Sequence, residues 1–326
     1  MQMNEIRENT ISRWLPVWLR GSKFLWVVGA GLYMIAYSAW IVLKWTDPAY
    51  ESVIANLGYL PLSLFSAISG FYVSRQPQLE QRTRLAWQFI AASLLSLAVG
   101  DILYTILDIT KGVGFPDLPD FFYLAFYPLA FIGLITIPSQ VSDQTEGKTW
   151  RIDLVIIMTS ATAILWYFII APTAVAGGDD WLSRLVAGAY PALDMLLLAS
   201  IAGLLFRKND ANTRESLIIL GFGLMIYIAA DLVYAWQVLQ ETYISGSLVD
   251  ILWTLSYFLI ALSAFRQAST HLVSQDTGDK PRIVWQITIL PMLALGASVI
   301  TSLLVAASGE VAGLPAYGLY IGTVIT

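Results

Sequence analysis

Cysteine is absent from the 326 residues, so no disulfide, thiolate metal site or cysteine nucleophile can form. Histidine occurs once, at His271, which excludes a multi-histidine metal site and bis-histidine haem ligation. Charge is also scarce. Charged residues make up 13% of the chain, against about 25% in soluble domains. No apolar run carries a lysine at its middle, which excludes a Schiff base of the retinal type. The GxxxxGK[ST], HExxH and GxSxG patterns are missing. No metal or cofactor is therefore expected, and no catalytic residue can be named. What fills the chain instead is apolar: 57% hydrophobic residues, with a mean hydropathy of +0.67. That balance excludes a soluble globular protein, a disordered chain and a basic nucleic-acid binder.

The apolar residues fall into ten runs: 24–43, 53–73, 85–107, 120–138, 152–172, 182–206, 215–239, 248–265, 283–307 and 312–326. A spanning helix needs about 20 such residues. In a bilayer only helices and closed barrels satisfy the backbone, and runs of this length are helices. The fold class expected is all-α: a polytopic helical membrane protein with ten spans. Glu5 and Glu8 stand where a secretory signal would be purely basic, so the start is not read as a cleaved leader. The net charge is −5, but placement matters more than the total. With the N-terminus in the cytoplasm, every one of the 18 Lys and Arg residues except Lys44, Lys111 and Arg184 falls on the inner side. Residues 11–23 mix Trp14, Leu15 and Trp18 with Arg13, Arg20 and Lys23, the pattern of an interfacial helix. The last run, counted from Leu314, has 13 residues and would cross only about 20 Å of a core of about 30 Å. The chain is therefore expected to continue beyond Thr326, into the cytoplasm.

The sequence repeats itself at an offset of 130 residues without gaps. Gly58 matches Gly188, Pro61 matches Pro191, and Arg84 matches Arg214. Asp101 matches Asp231, Tyr104 matches Tyr234, Leu118 matches Leu248, Asp120 matches Asp250, and Tyr127 matches Tyr257. The expected organisation is a cytoplasmic N-terminus (1–23), a four-span repeat (24–138), a linker (139–151), a second four-span repeat (152–266), a linker (267–282) and a final hairpin, incomplete at its end (283–326). An even number of crossings gives both repeats one orientation, with a pseudo-two-fold axis along the membrane normal. Pro61 and Pro191 interrupt their spans at matching places and are expected to kink them. The connection 108–119, with two Gly and two Pro, reads as a plain turn, with a shaped lid as the alternative.

Ionisable groups inside spans are costly and mark function by default. Asp101 and Tyr127 should both lie about 10 Å below the outer surface, on neighbouring spans. An Asp101–Tyr127 hydrogen bond is expected, and by the repeat an Asp231–Tyr257 bond. Such pairs read first as structural clamps that fix the packing of a span pair, and second as a ligand pocket. Tyr104 and Tyr234 lie nearly one turn further along. Asp120 and Asp250 are expected as helix caps. Asp194 lies near the middle of its span, with Tyr190 one turn away. Its counterpart in the first repeat is Leu64, so it breaks the repeat and is the least easily explained as scaffold. The ligand-binding candidates are thus Asp101, Tyr104, Tyr127, Tyr190, Asp194, Asp231, Tyr234 and Tyr257.

The stretch from Gly100 and Asp101 through Asp120, Phe122, Tyr123, Leu124, Phe126, Tyr127, Pro128 and Leu129 resembles the membrane input region of bacterial diguanylate cyclases (GGDEF/EAL proteins) and of related membrane histidine kinases. In that family a later hairpin leads into a cytoplasmic signalling domain, and residues 283–326 are similar to it. This chain contains no GGDEF, EAL, PAS or kinase motif, so it is not itself expected to be an enzyme. The resemblance implies a sensory input module that passes an external or membrane-borne signal to a cytoplasmic domain beyond residue 326. Its implied partners are membrane lipid, a small-molecule or lipid ligand, and a second copy through the signalling domain. The alternative is a secondary transporter with a substrate or cation site between the repeats near Asp194.

Overall fold

A computed structural model describes residues 22–138, 144–176, 180–206, 211–269, 296–302 and 314–325. The described residues are helical and contain no strand. In chain order the helices are α1 (Ser22–Leu43), α2 (Glu51–Gly58), α3 (Leu60–Ser74), α4 (Gln81–Thr110) and α5 (Leu118–Thr136). Then follow α6 (Gln144–Leu165), α7 (Ala171–Ala176), α8 (Trp181–Phe206), α9 (Ala211–Leu239), α10 (Leu248–Gln267) and α11 (Leu314–Ile325). Eight helical stretches among the described residues are long and apolar enough to cross a membrane, and they coincide with the first eight apolar runs. The chain is a multi-pass helical membrane protein. The ninth run lies mostly outside the described residues, of which 296–302 are helical, and the tenth is the 12-residue α11. The interfacial segment 11–23 also lies outside them, except that α1 starts at Ser22.

Six helices close a ring: α3 packs on α4, α4 on α5, α5 on α8, α8 on α9, α9 on α10, and α10 returns to α3. The 130-residue offset maps α3, α4 and α5 onto α8, α9 and α10. Each contact within one repeat therefore has its counterpart in the other. The two contacts between repeats, α5–α8 and α10–α3, are also counterparts. The outer helices depart from this symmetry: α1 lies mainly on α10, whereas α6 leans on α8 and α11.

Lipid tails give helices no hydrophobic reason to associate, so close packing must do so. Small residues provide it. A Cβ added at Gly70 would sit 2.9 Å from the Ala91 Cβ, and one at Gly223 would sit 3.1 Å from Ile260. A Cβ added at Gly133 would meet the Ile90 side chain at 2.7 Å and the Ala86 carbonyl oxygen at 3.1 Å. The counterparts of Ala86 and Gly133 are Ser216 and Ser263, which bond reciprocally: each hydroxyl donates to the other's carbonyl, at 2.9 and 2.8 Å. The same crossing is thus sealed by shape in one repeat and by hydrogen bonds in the other. On α11, Gly318 and Gly322, one GxxxG turn apart, rest against Trp166 and Ala163.

The two prolines behave differently. Pro61 opens a new helix after a break at Tyr59, whereas Pro191 lies inside an unbroken α8. The expected kink is therefore a break in the first repeat only. A second irregularity gave no warning in the apolar pattern: Trp166–Ile170 forms a π-helical turn between α6 and α7. Pro172 follows it. Proline lacks an N–H and crowds the carbonyl four residues back, here Phe168, and the wider turn accommodates that crowding.

Candidate functional site: an acid–tyrosine core between the repeats

The short connections set the register of the site. Gly112, with φ +79°, turns the chain after α4, and Gly246, with φ +80°, turns it before α10. Asp117 is the N-cap of α5 and forms a capping box with Asp120, whose carboxylate accepts the Asp117 N–H at 2.7 Å. Outside the span, Asp117 itself is held below the usual carboxylate range, first by the Leu118 N–H and further by the Gly114 N–H and Lys111. The matching Asp250 accepts the Gly246 N–H at 2.6 Å. Both acids cap from the third helical position, as their place in the sequence suggests. Asp120 has an additional partner, the Tyr190 hydroxyl at 2.6 Å. Tyr190 therefore serves α5 rather than Asp194, its own neighbour on α8.

Three acids project from the ring: Asp101 from α4, Asp194 from α8 and Asp231 from α9. Asp194 is 1% exposed and Asp101 6%, and Asp231 is half-buried. The Tyr127 hydroxyl of α5 reaches both acids of the other repeat, Asp194 at 2.9 Å and Asp231 at 3.2 Å. Trp253 of α10 donates its indole N–H to the remaining oxygen of Asp231 at 2.7 Å. Asp101 accepts from Ser63 of α3 at 3.3 Å and is faced by the hydroxyl of Tyr123 of α5. Tyr257 of α10 lies against Ser63, in the neighbourhood of Asp101 and Asp231.

These contacts correct the expected pairing. Neither Asp101–Tyr127 nor Asp231–Tyr257 is formed as a within-repeat bond. Residue spacing sets the depth of a side chain in the membrane but not the direction in which it points. Tyr123 lies one turn above Tyr127 and turns to its own repeat's Asp101. Tyr127 turns across the interface. By the offset, Trp253 is the counterpart of Tyr123, and it holds its own repeat's Asp231 in the same way. The arrangement is exchanged: in each repeat the upper aromatic holds the local acid, and the lower tyrosine faces the other repeat. Trp253 and Ser63 are not named in the sequence reading, and Tyr123 enters it only through the family resemblance, not as a site candidate. Identity matching passed over Tyr123 and Trp253 because tyrosine and tryptophan differ, although both are aromatic hydrogen-bond donors.

Nearer the end of the ring where the α4–α5 and α9–α10 connections lie, Tyr234 packs edge-on to Tyr243, with centroids 4.7 Å apart, and against Trp253 at 5.7 Å. Tyr104, Asp120 and Asp231 are its electrostatic neighbours. Tyr104 and Tyr234 are thus not partners of the acids. They form an aromatic collar above them. Tyr243, in the connection outside the spans, has its hydroxyl pushed up by burial and by the nearby Asp250 carboxylate.

A phenol has one proton to donate. Tyr127 can bond Asp194 and Asp231 together only when one of those acids is protonated and donates back to the phenol oxygen. The core therefore carries one proton at the repeat interface whenever both contacts are hydrogen bonds. No group of three or more acidic, His or Cys side chains among the described residues is placed to hold a metal. No family model, curated protein or solved structure matches the chain.

Proposed function

We infer that the chain is a membrane-embedded sensory input module in which the two repeats are the moving parts. The observation that carries this reading is the Tyr127 clasp, one hydroxyl from the first repeat on two acids of the second. A polar clasp inside a bilayer has two distinct states, made and broken, and a signal acts by favouring one. The resemblance of residues 100–129 to the input regions of diguanylate cyclases supports the direction of output, towards a cytoplasmic signalling domain. The loop charges support an N-terminus in the cytoplasm, with the aromatic collar on the outer face. The cysteine-free sequence makes that orientation testable: single cysteines at Gln78 and Lys111 should react with impermeant reagents from opposite sides.

The test of the input reading is a distance measurement. Spin labels at Lys111 and Glu241 report the separation of the two repeats' connections. Tyr127→Phe and Asp194→Asn should each move or broaden that distribution. A distribution indistinguishable from wild type in both variants would remove the reading. A second reading, a secondary transporter, is favoured by one observation: Asp194 and Asp231 share a proton site between parallel repeats. Proton-coupled flux in liposomes that Asp194→Asn abolishes would select it.

A further inference from the structure

The collar above the acids has a composition that the clasp does not use. Tyr104, Tyr190, Tyr243 and Trp253 are each half-buried, and Tyr234 is 38% exposed, so their rings present open surface. Trp253 donates to Asp231 and Tyr190 to Asp120, the Tyr104 and Tyr243 hydroxyls face Ser245, and Tyr234 is packed against Tyr243 and Trp253. The rings are therefore held in place, and what they offer is π-face and edge. Two half-buried carboxyls, Asp120 and Asp231, stand beside them, and the donors that hold them are neutral: the Tyr190 hydroxyl and Asp117 N–H on Asp120, the Trp253 indole and Tyr127 hydroxyl on Asp231.

The acids' hydrogen-bonding state narrows the ligand. Asp120 accepts from Tyr190 on one oxygen and from the Asp117 N–H on the other. Asp231 accepts from Trp253 on one oxygen and from Tyr127 on the other, with the proton of the clasp then held by Asp194, which donates to the phenol oxygen. Each carboxyl oxygen already has a donor, so the site does not call for a ligand rich in N–H groups, and a hydrated metal ion has no ligand set here. What remains unanswered is negative charge beside aromatic faces. A soft cation without N–H donors answers both.

We propose that the collar formed by Tyr104, Tyr190, Tyr234, Tyr243 and Trp253 binds a quaternary ammonium, with Asp120 and Asp231 as its counter-charges. This rests on the input reading and supplies its ligand class. The cation enters beside Trp253, the residue that holds Asp231, and so acts next to the Tyr127 clasp.

The test uses the full chain in lipid nanodiscs and choline as the probe. Its control is neohexyl alcohol, in which carbon replaces the charged nitrogen at nearly the same shape. Choline should give saturable binding by calorimetry, and the alcohol should give none. Tyr234→Phe should keep the affinity, because the ring is retained. Tyr234→Leu should weaken it about tenfold, in line with the loss of one desolvated cation–π contact. If Tyr234→Leu fails to fold, Tyr104→Leu carries the same comparison. Equal response to choline and the alcohol, no binding of choline, or full affinity in the leucine variants would overturn the proposal. Clasp and ligand fail separately: lost choline binding with an intact Tyr127–Asp194 coupling removes the ligand class alone.

Discussion

Tyr127→Phe removes one oxygen and leaves the ring. The structure predicts an unequal effect on the two acids that oxygen serves. Asp231 keeps the Trp253 indole as a donor at 2.7 Å. Asp194, 1% exposed, has the Tyr127 hydroxyl as its side-chain hydrogen-bond partner at 2.9 Å. Hydrogen bonds inside a bilayer measure about 0.6 kcal/mol on average and reach about 1.7. A buried polar group stripped of its partner adds a penalty of about 1–3 kcal/mol. Tyr127→Phe should therefore cost about 1–3 kcal/mol in reversible unfolding from mixed micelles. In double-mutant cycles, the coupling of Tyr127 with Asp194→Ala should be about 1–2 kcal/mol and should exceed its coupling with Asp231→Ala. Tyr127 with Asp101→Ala should be additive to within about 0.5 kcal/mol. A coupling with Asp101 larger than that with Asp194 would show that the tyrosine bonds within its own repeat, and the exchanged arrangement would be wrong.

Two further outcomes follow from packing and capping. Gly133→Ala drives a methyl into Ile90 and the Ala86 carbonyl, and should lower stability by about 1–3 kcal/mol, whereas Gly29→Ala, with nothing within 4 Å, should be neutral or mildly stabilising by thermal melting in detergent. Asp250→Ala leaves the Gly246 N–H without its acceptor and should cost about 0.5–2 kcal/mol in the same assay; a loss below about 0.3 kcal/mol would refute the cap.

The spans, the repeat and the caps could be read from the sequence because each rests on a local rule. Run length against bilayer thickness placed eight helices to within a few residues along most of their length. Helix-start chemistry picks out Asp120 and Asp250, and each accepts a backbone N–H at the start of its helix. The partners of the acids could not be read, because they depend on how one helix is rotated against another. Tyr123 and Tyr127 are one turn apart on one helix, yet they point into different repeats. Asp194 shows the other side of the problem. Its departure from the repeat marks it as unusual, and it is one of the two acids that Tyr127 meets across the interface, the nearer one.

This exchange has a consequence for assembly. Had each tyrosine bonded its own repeat's acid, either repeat could satisfy its polar groups alone. As built, Asp194 depends on a hydrogen-bond partner 67 residues earlier in the chain and in the other repeat. The α10–α3 contact places Tyr257 of the second repeat beside Ser63 of the first. A chain divided between Pro138 and Gln144 should therefore give two fragments that reassemble when co-expressed and that are unstable apart. Each interface bond is worth about 0.6–1.7 kcal/mol, so Tyr127→Phe should weaken the association of the fragments by about tenfold. Tagging one fragment and measuring recovery of the other in mild detergent reads this directly. Fragments that are each monodisperse alone and melt as the whole chain does would mean that the repeats are independent bundles, and the clasp would then have no structural work to do.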